Sequence, residues 1–116
     1  MKQRIELHDS QIENVIVKSD TIEIIFQTLV VLNVTDEFGF EFDKTTYSPG
    51  TLAIKEARYK SLPSKGDIFD GHLLIGEYRY DLIPVDLKVN KPCALFISQE
   101  SGDHLIFGKE ISVTVK

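Results

Sequence analysis

The chain has no tryptophan, one cysteine, one methionine and only three alanines (Ala53, Ala57 and Ala94) in 116 residues. Each shortage excludes something. A lone Cys93 cannot close an internal disulfide or supply a thiolate metal cluster, which points to a reducing, cytoplasmic setting. Long apolar runs are also missing. The most apolar stretch, Ile22 to Val34, is interrupted by Glu23, Gln27, Thr28 and Asn33, and the opening "MKQRIELHDS" lacks the apolar segment of a secretory leader. Nor is there an excess of positive charge. Thirteen Lys and Arg against eighteen Asp and Glu give a net charge of −5, so neither nucleic acid nor an anionic membrane is an expected partner. Glycine-rich phosphate cradles of the GxGxxG and GxxxxGK kinds are absent, and no cofactor is implied.

What is present is isoleucine, valine and threonine, punctuated by turn residues every several positions. That composition predicts an all-β fold, an antiparallel β-sandwich or small β-barrel of about eight to ten short strands. The length suits one domain spanning 1–116. "VKSDT" turns at Ser19 and Asp20 and joins Gln11 to Lys18 with Thr21 onward as a hairpin. In "TIEIIFQTLVVLNV", Ile22, Ile24, Phe26, Val30, Leu32 and Val34 share one face, and Ile25, Leu29 and Val31 the other, with a bend near Thr28. Phe38, Phe40 and Phe42 alternate as an aromatic strand, "TTYSPG" reads as the longest irregular connection, and "TLAIKEARYKSLP" as a strand. The C-terminal half reads as two meanders. Turns are expected at Asp70 and Gly71, at Gly76 and Glu77, near Ser101 and Gly102, and at Gly108 and Lys109.

Candidate chemistry is sparse. "LHDS" sets His8, Asp9 and Ser10 in sequence, yet three consecutive residues cannot build a hydrolytic triad, because strand neighbours point to opposite faces. Ile5 and Leu7 claim the inner face, so Glu6 and His8 point outward, and Asp9 and Ser10 fit a turn whose side chains bond nearby backbone. His8 and Asp9 remain candidate ligand contacts. His72 is expected opposite Asp81, with Arg79 on the same face, while Leu73, Ile75, Tyr78, Tyr80 and Leu82 line the other face. A cross-strand His–Asp pair could orient an imidazole for acid–base work, but no nucleophile stands beside it, and a surface charge pair is the favoured reading. Tyr78 and Tyr80, like Tyr47 and Tyr59, offer stacking surfaces for a ligand. His104 shares a face with Ile106 and points inward, so the three histidines do not converge, and no metal site is expected.

Acidic residues at Asp36, Glu37, Glu41 and Asp43 lack the spacing of an EF-hand loop, and Lys55, Arg58, Lys60 and Lys65 read as a solvated strand face. Cys93 falls on the Leu95 and Ile97 face as a small core residue. Pro84, in "YDLIPVDL", implies an edge, a bulge or a strand end, and an edge strand offers a route to a homodimer or to a partner's strand.

"IELHDSQI", "DGHLLIG", "YDLIPVDL" and "SGDHLIFGKEI" together resemble a family of small uncharacterised bacterial all-β proteins. The resemblance implies a small, β-rich bacterial protein and no activity. The His-Asp element is also loosely similar to some bacterial immunity proteins, which are small and acidic and mask a toxin. Three expectations follow: a non-catalytic module binding an unknown protein or small ligand, a small metal-dependent or acid–base enzyme using His72 and Asp81, and a toxin-neutralising immunity protein.

Overall fold

The computed structural model describes residues 2–34 and 42–116, which form strands and turns with no helix. In chain order the strands are β1 (Lys2–Lys18), β2 (Thr21–Val34), β3 (Phe42–Lys55), β4 (Arg58–Tyr59), β5 (Gly66–Asp67) and β6 (Asp70–Ile75). They continue as β7 (Tyr78–Tyr80), β8 (Leu82–Pro84), β9 (Lys88–Val89), β10 (Cys93–Gln99), β11 (Gly102–Gly108) and β12 (Glu110–Val115). Two antiparallel sheets result. The larger runs β5-β1-β2-β3-β12-β9, with β8 beside β5 on the outer edge of β1, and the smaller runs β4-β11-β10-β6-β7. The protein is thus an antiparallel β-sandwich.

Alternation along each strand sends one set of side chains between the sheets. Ile22, Ile24, Phe26, Leu52, Ile54, Ile111 and Val113 come from the larger sheet and Leu73, Ile75, Cys93, Leu95, Ile97 and Ile106 from the smaller, all buried in one cluster. Ile5 and Leu7 join them, as their inward phase predicts. Each such side chain contributes about 1.5–3 kcal/mol of burial, so these layers dominate the fold energetically. The β1–β2 hairpin closes at Ser19 and Asp20 with Lys18 opposite Thr21, in the expected register. Ser19 takes a left-handed φ of 56°, as the first position of such a tight turn demands. Gly76 and Glu77 likewise turn β6 into β7, with Ile75 opposite Tyr78. Pro84 ends β8, whose only strand partner among the described residues is β1.

Several expectations are corrected. Among the described residues the strands number twelve, and three of them are long. "TTYSPG" is not a loop but lies inside β3. Phe26 faces Gly50 and Leu29 faces Ser48, so Gln27 and Thr28 oppose Pro49 alone, and the proline sits at a bulge where no ladder bond is asked of it. The same irregularity resets the phase of β2. Leu29 therefore enters the core with Phe26 instead of facing away from it.

Asp70 and Gly71 make no hairpin. They begin β6, where Gly71 lies opposite Ile97 of β10. A Cβ there would come within 2.8 Å of Leu7 Cδ1 and 2.9 Å of the Phe96 carbonyl, so the glycine serves a close approach between the sheets. Gly108 and Lys109 do not fold β12 back on β11 either. The chain crosses to the other sheet, where β12 pairs with β3 and β9. Lys109 N–H donates to the Lys55 carbonyl at 3.0 Å, and a Cβ on Gly108 would collide with Ile54 Cγ2. The expected aromatic strand at Phe38 to Phe42 and the acidic group Asp36, Glu37, Glu41 and Asp43 lie outside the described residues, apart from the backbone of Phe42 and Asp43 in β3.

Candidate interaction surface

The two outer faces of the sandwich differ in chemistry. On the larger sheet, register aligns Glu23, Ala53 and Ser112 in one row and Ile25, Thr51 and Thr114 in the next, mostly small or polar. On the smaller sheet, Phe107, Ala94 and Leu74 form one row and Leu105, Phe96 and His72 the next. This second face is apolar and open. Phe107 remains 50% exposed and Leu105 41%, although both lie on β11, which is flanked by β4 and β10. An open cluster of large apolar side chains is costly in water, which makes this face the candidate interaction surface.

Local structure explains why the cluster stays together. The inner partners Leu73, Leu95, Ile97 and Ile106 are fully buried, which locks each strand's phase and forces the alternate residues outward. The His72 ring lies against Phe96 with centroids 5.1 Å apart and planes tilted by 33°. Arg58 stands opposite Phe107 on β4, and Arg79 opposite Leu74 on β7, so a guanidinium flanks the first apolar row at either edge. At the other end of the strands Asp103 and Asp70 stand opposite Ser98. Beside β4 the face deepens into a groove of about 580 Å³, lined by Arg58, Tyr59, Lys60, Ser61, Leu105 and Phe107 among others.

The residues singled out from sequence are dispersed around this surface. His72 reaches the face, but Asp81 is held by Arg79, whose Nε donates to Oδ1 at 3.0 Å on the solvent side. Tyr80 packs partly against the core, whereas Tyr78, expected beside it on an inner face, is 74% exposed at the start of β7, the edge strand of its sheet. His8 is exposed as expected. Its Nδ1 contacts the Phe69 carbonyl and its Nε2 lies 3.4 Å from Asp9 Oδ2. The carbonyl, followed by the Asp9 charge, favours the protonated ring and raises the His8 pKa above its ordinary 6.5.

Asp9 and Ser10 form a bulge and not a turn. Asp9 has φ 67°, and its N–H donates to the Ile68 carbonyl at 3.0 Å. The Ser10 hydroxyl is fully buried, donating to the Glu6 carbonyl at 2.7 Å and accepting from Val30 N–H at 3.1 Å.

His104 points inward as expected. Ser61 Oγ lies 2.9 Å from its Nδ1 and Ser101 Oγ 3.0 Å from its Nε2, so both ring nitrogens of a buried imidazole are satisfied. Buried Gln99 does similar work for the neighbouring loop, accepting from Ser64 N–H and donating to the Ser64 carbonyl. Cys93 is buried, and loss of solvent raises its thiol pKa. Among the described residues no three His, Cys, Asp or Glu side chains gather as a metal-binding group, and no helix is long and apolar enough to cross a membrane.

The apolar face has a sequence signal, though not an alternating one. "LLI" at Leu73 to Ile75, "ALFI" at Ala94 to Ile97 and "LIF" at Leu105 to Phe107 are unbroken apolar runs. In an antiparallel sheet, such a run means that both faces are apolar. Fold and surface together define a class: a β-sandwich with one polar and one apolar outer face. No protein-family model matches the chain, and no curated protein or solved structure is significantly similar to it.

Proposed function

We propose that the protein is a non-catalytic protein-interaction module of the bacterial cytoplasm, and that its binding surface is the outer face of the β4-β11-β10-β6-β7 sheet. The carrying observation is the exposure of Phe107 and Leu105 in two adjacent rows, the first with Ala94 and Leu74 and the second with Phe96 and His72, against the mostly small or polar outer face of the other sheet. Interfaces of this kind centre on aromatic and aliphatic anchors with arginine at the rim. The acid–base reading draws less support, because Asp81 binds Arg79 while the His72 ring rests on Phe96.

A photo-crosslinking residue at Phe107 in the producing cell tests the proposal, with Thr114 on the opposite outer face as the control. Discrete protein adducts from position 107 alone are expected. Equal labelling at both positions, or none at 107, refutes it.

A further inference from the structure

The groove beside β4 joins an apolar floor to a charged wall. Its floor is β11, which turns Phe107, Leu105 and Asp103 outward at alternate positions, and its wall is the run from Arg58 to Ser61. Arg58 stands opposite Phe107 and marks one end. Asp103 lies four residues back along β11, about 13 Å away at a rise of about 3.3 Å per residue. Among the described residues neither Arg58 nor Lys60 has an acidic partner within ion-pair distance, whereas Arg79, the cation at the opposite edge of the same face, is held by Asp81. The wall is fixed on both sides. Ala57 N–H donates to the Asp20 carbonyl at 2.8 Å ahead of it, Tyr59 is paired with Ile106, Ser61 Oγ lies 2.9 Å from the buried His104 Nδ1, and Leu62 packs against the core. Such a wall loses little freedom when it is occupied.

We infer that this groove takes a short acidic and apolar segment of a partner protein, whose aromatic or aliphatic side chain covers Leu105 and Phe107 beside Tyr59 and whose carboxylate pairs with Arg58 and Lys60. The inference rests on the reading of this face as the interaction surface and names what the partner presents to it.

Charge complementarity selects this occupant. The guanidinium fork of Arg58 accepts a carboxylate through two parallel hydrogen bonds, and the ammonium of Lys60 adds a second cation to the same wall. Phe107, Leu105 and Tyr59 supply the apolar contact that a carboxylate alone leaves unused. A purely apolar segment would leave both cations covered and unpaired, and a basic one would meet like charge. Asp103 sets the polarity, because its own charge repels acid from the far end of the groove. A long polyanion is disfavoured by the chain's net charge of −5, whereas a short acidic stretch meets chiefly the charges within about 8 Å of it, the screening distance at physiological salt.

NMR titration of the full chain with three blocked hexapeptides tests the chemistry. The peptides share a phenylalanine and an isoleucine and differ in carrying two glutamates, two glutamines or two lysines. The glutamate peptide is expected to shift the amides of Arg58, Tyr59, Leu105 and Phe107 and to bind with a Kd of about 0.1–1 mM, a weak affinity suited to one short segment. The glutamine peptide should bind at least about fivefold more weakly and the lysine peptide more weakly still. The double variant R58E/K60E should reverse that order and prefer lysine. Both positions are exposed, and circular dichroism checks that the variant keeps its fold. Equal binding of the glutamate and glutamine peptides overturns the inference, as do shifts centred away from the groove or an absence of shifts with all three. In the producing cell, the crosslinker at position 107 should lose its protein adducts when R58E/K60E is introduced. Undiminished adducts would overturn the acidic segment while leaving the interaction surface standing. An absence of adducts with Arg58 and Lys60 in place would overturn both.

Discussion

Removing one hydroxyl should show how the opening motif is used. Ser10 has no exposed surface, and its Oγ links two strands: it donates to the Glu6 carbonyl and accepts from Val30 N–H, at the point where the β1–β2 ladder jumps from Glu6 to Gln11. Ser10→Ala deletes both bonds without adding bulk. Each net bond is worth about 1 kcal/mol, and a buried donor left without a partner costs about 1–3 kcal/mol on its own. The sum, eased by partial rearrangement of the bulge, is a loss of about 2–3 kcal/mol. In a domain of this size that lowers Tm by about 10–20 °C. Urea unfolding followed by circular dichroism should show a lower midpoint with an unchanged slope, because the surface exposed on unfolding is the same. A variant within about 0.5 kcal/mol of wild type would refute the assignment of Ser10 as the polar pin of this bulge.

Gly108→Ala should destabilise by about 1–3 kcal/mol, because the new methyl meets buried, β-branched Ile54 and the Lys55 carbonyl at the crossing between sheets; thermal unfolding measures it, and an unchanged Tm would refute the close approach. His8 has a raised folded-state pKa, so its stabilising contribution is full below the unfolded value of about 6.5 and is lost as pH rises through the folded value. His8→Gln should therefore be less stable than wild type at acidic pH and converge with it at higher pH, and NMR titration of the His8 ring should place its midpoint above 6.5. His104→Ala should destabilise by about 2–4 kcal/mol, since it opens a cavity and frees the Ser61 and Ser101 hydroxyls, a loss that chemical denaturation would record. Leu105→Lys should leave the denaturation midpoint within about 0.5 kcal/mol of wild type, because Leu105 is outside the core, and a larger fall would mean that it packs within the fold.

The comparison of sequence and structure turns on three glycines. Gly76 behaves as its letters suggest, since "IGEY" is closed within four residues and a left-handed φ of 57° suits glycine. Gly71 and Gly108 carry an equally good turn signal and are used for something else. Each lets one sheet pass close to the other, against Leu7 in one case and Ile54 in the other. A turn is a local object, whereas a close approach involves residues far away along the chain, so the same letter serves both and only the partner distinguishes them. Register errors spread from this. The β6–β7 ladder keeps the expected register as far as Leu73 opposite Tyr80, yet the His72 ring rests on Phe96 and Asp81 pairs with Arg79.

The candidate surface was legible only in part. Reading each strand for alternation assigns Leu73, Leu95 and Ile106 correctly to the interior and passes over Leu74, Phe96 and Phe107 between them. What brings those three together is the order of β11, β10 and β6, which lie side by side although β6 is separated in sequence from β10 by β7, β8 and β9.

By itself, then, the amino-acid sequence determined the strand chemistry: all-β composition, the inward phase of Ile5, Leu7, Ile22 and Ile24, the hairpins at Ser19–Asp20 and Gly76–Glu77, and the outward turn of His8. These depend on period-two alternation and on turns of two residues, both encoded within a few positions. The tertiary structure alone decided which strands neighbour one another, that β12 leaves β11 for β3, and that one outer face gathers aromatic and aliphatic side chains between a pair of arginines and a pair of aspartates. Strand partners far apart in the chain are chosen by the burial of the whole core at once, and no local pattern carries that choice.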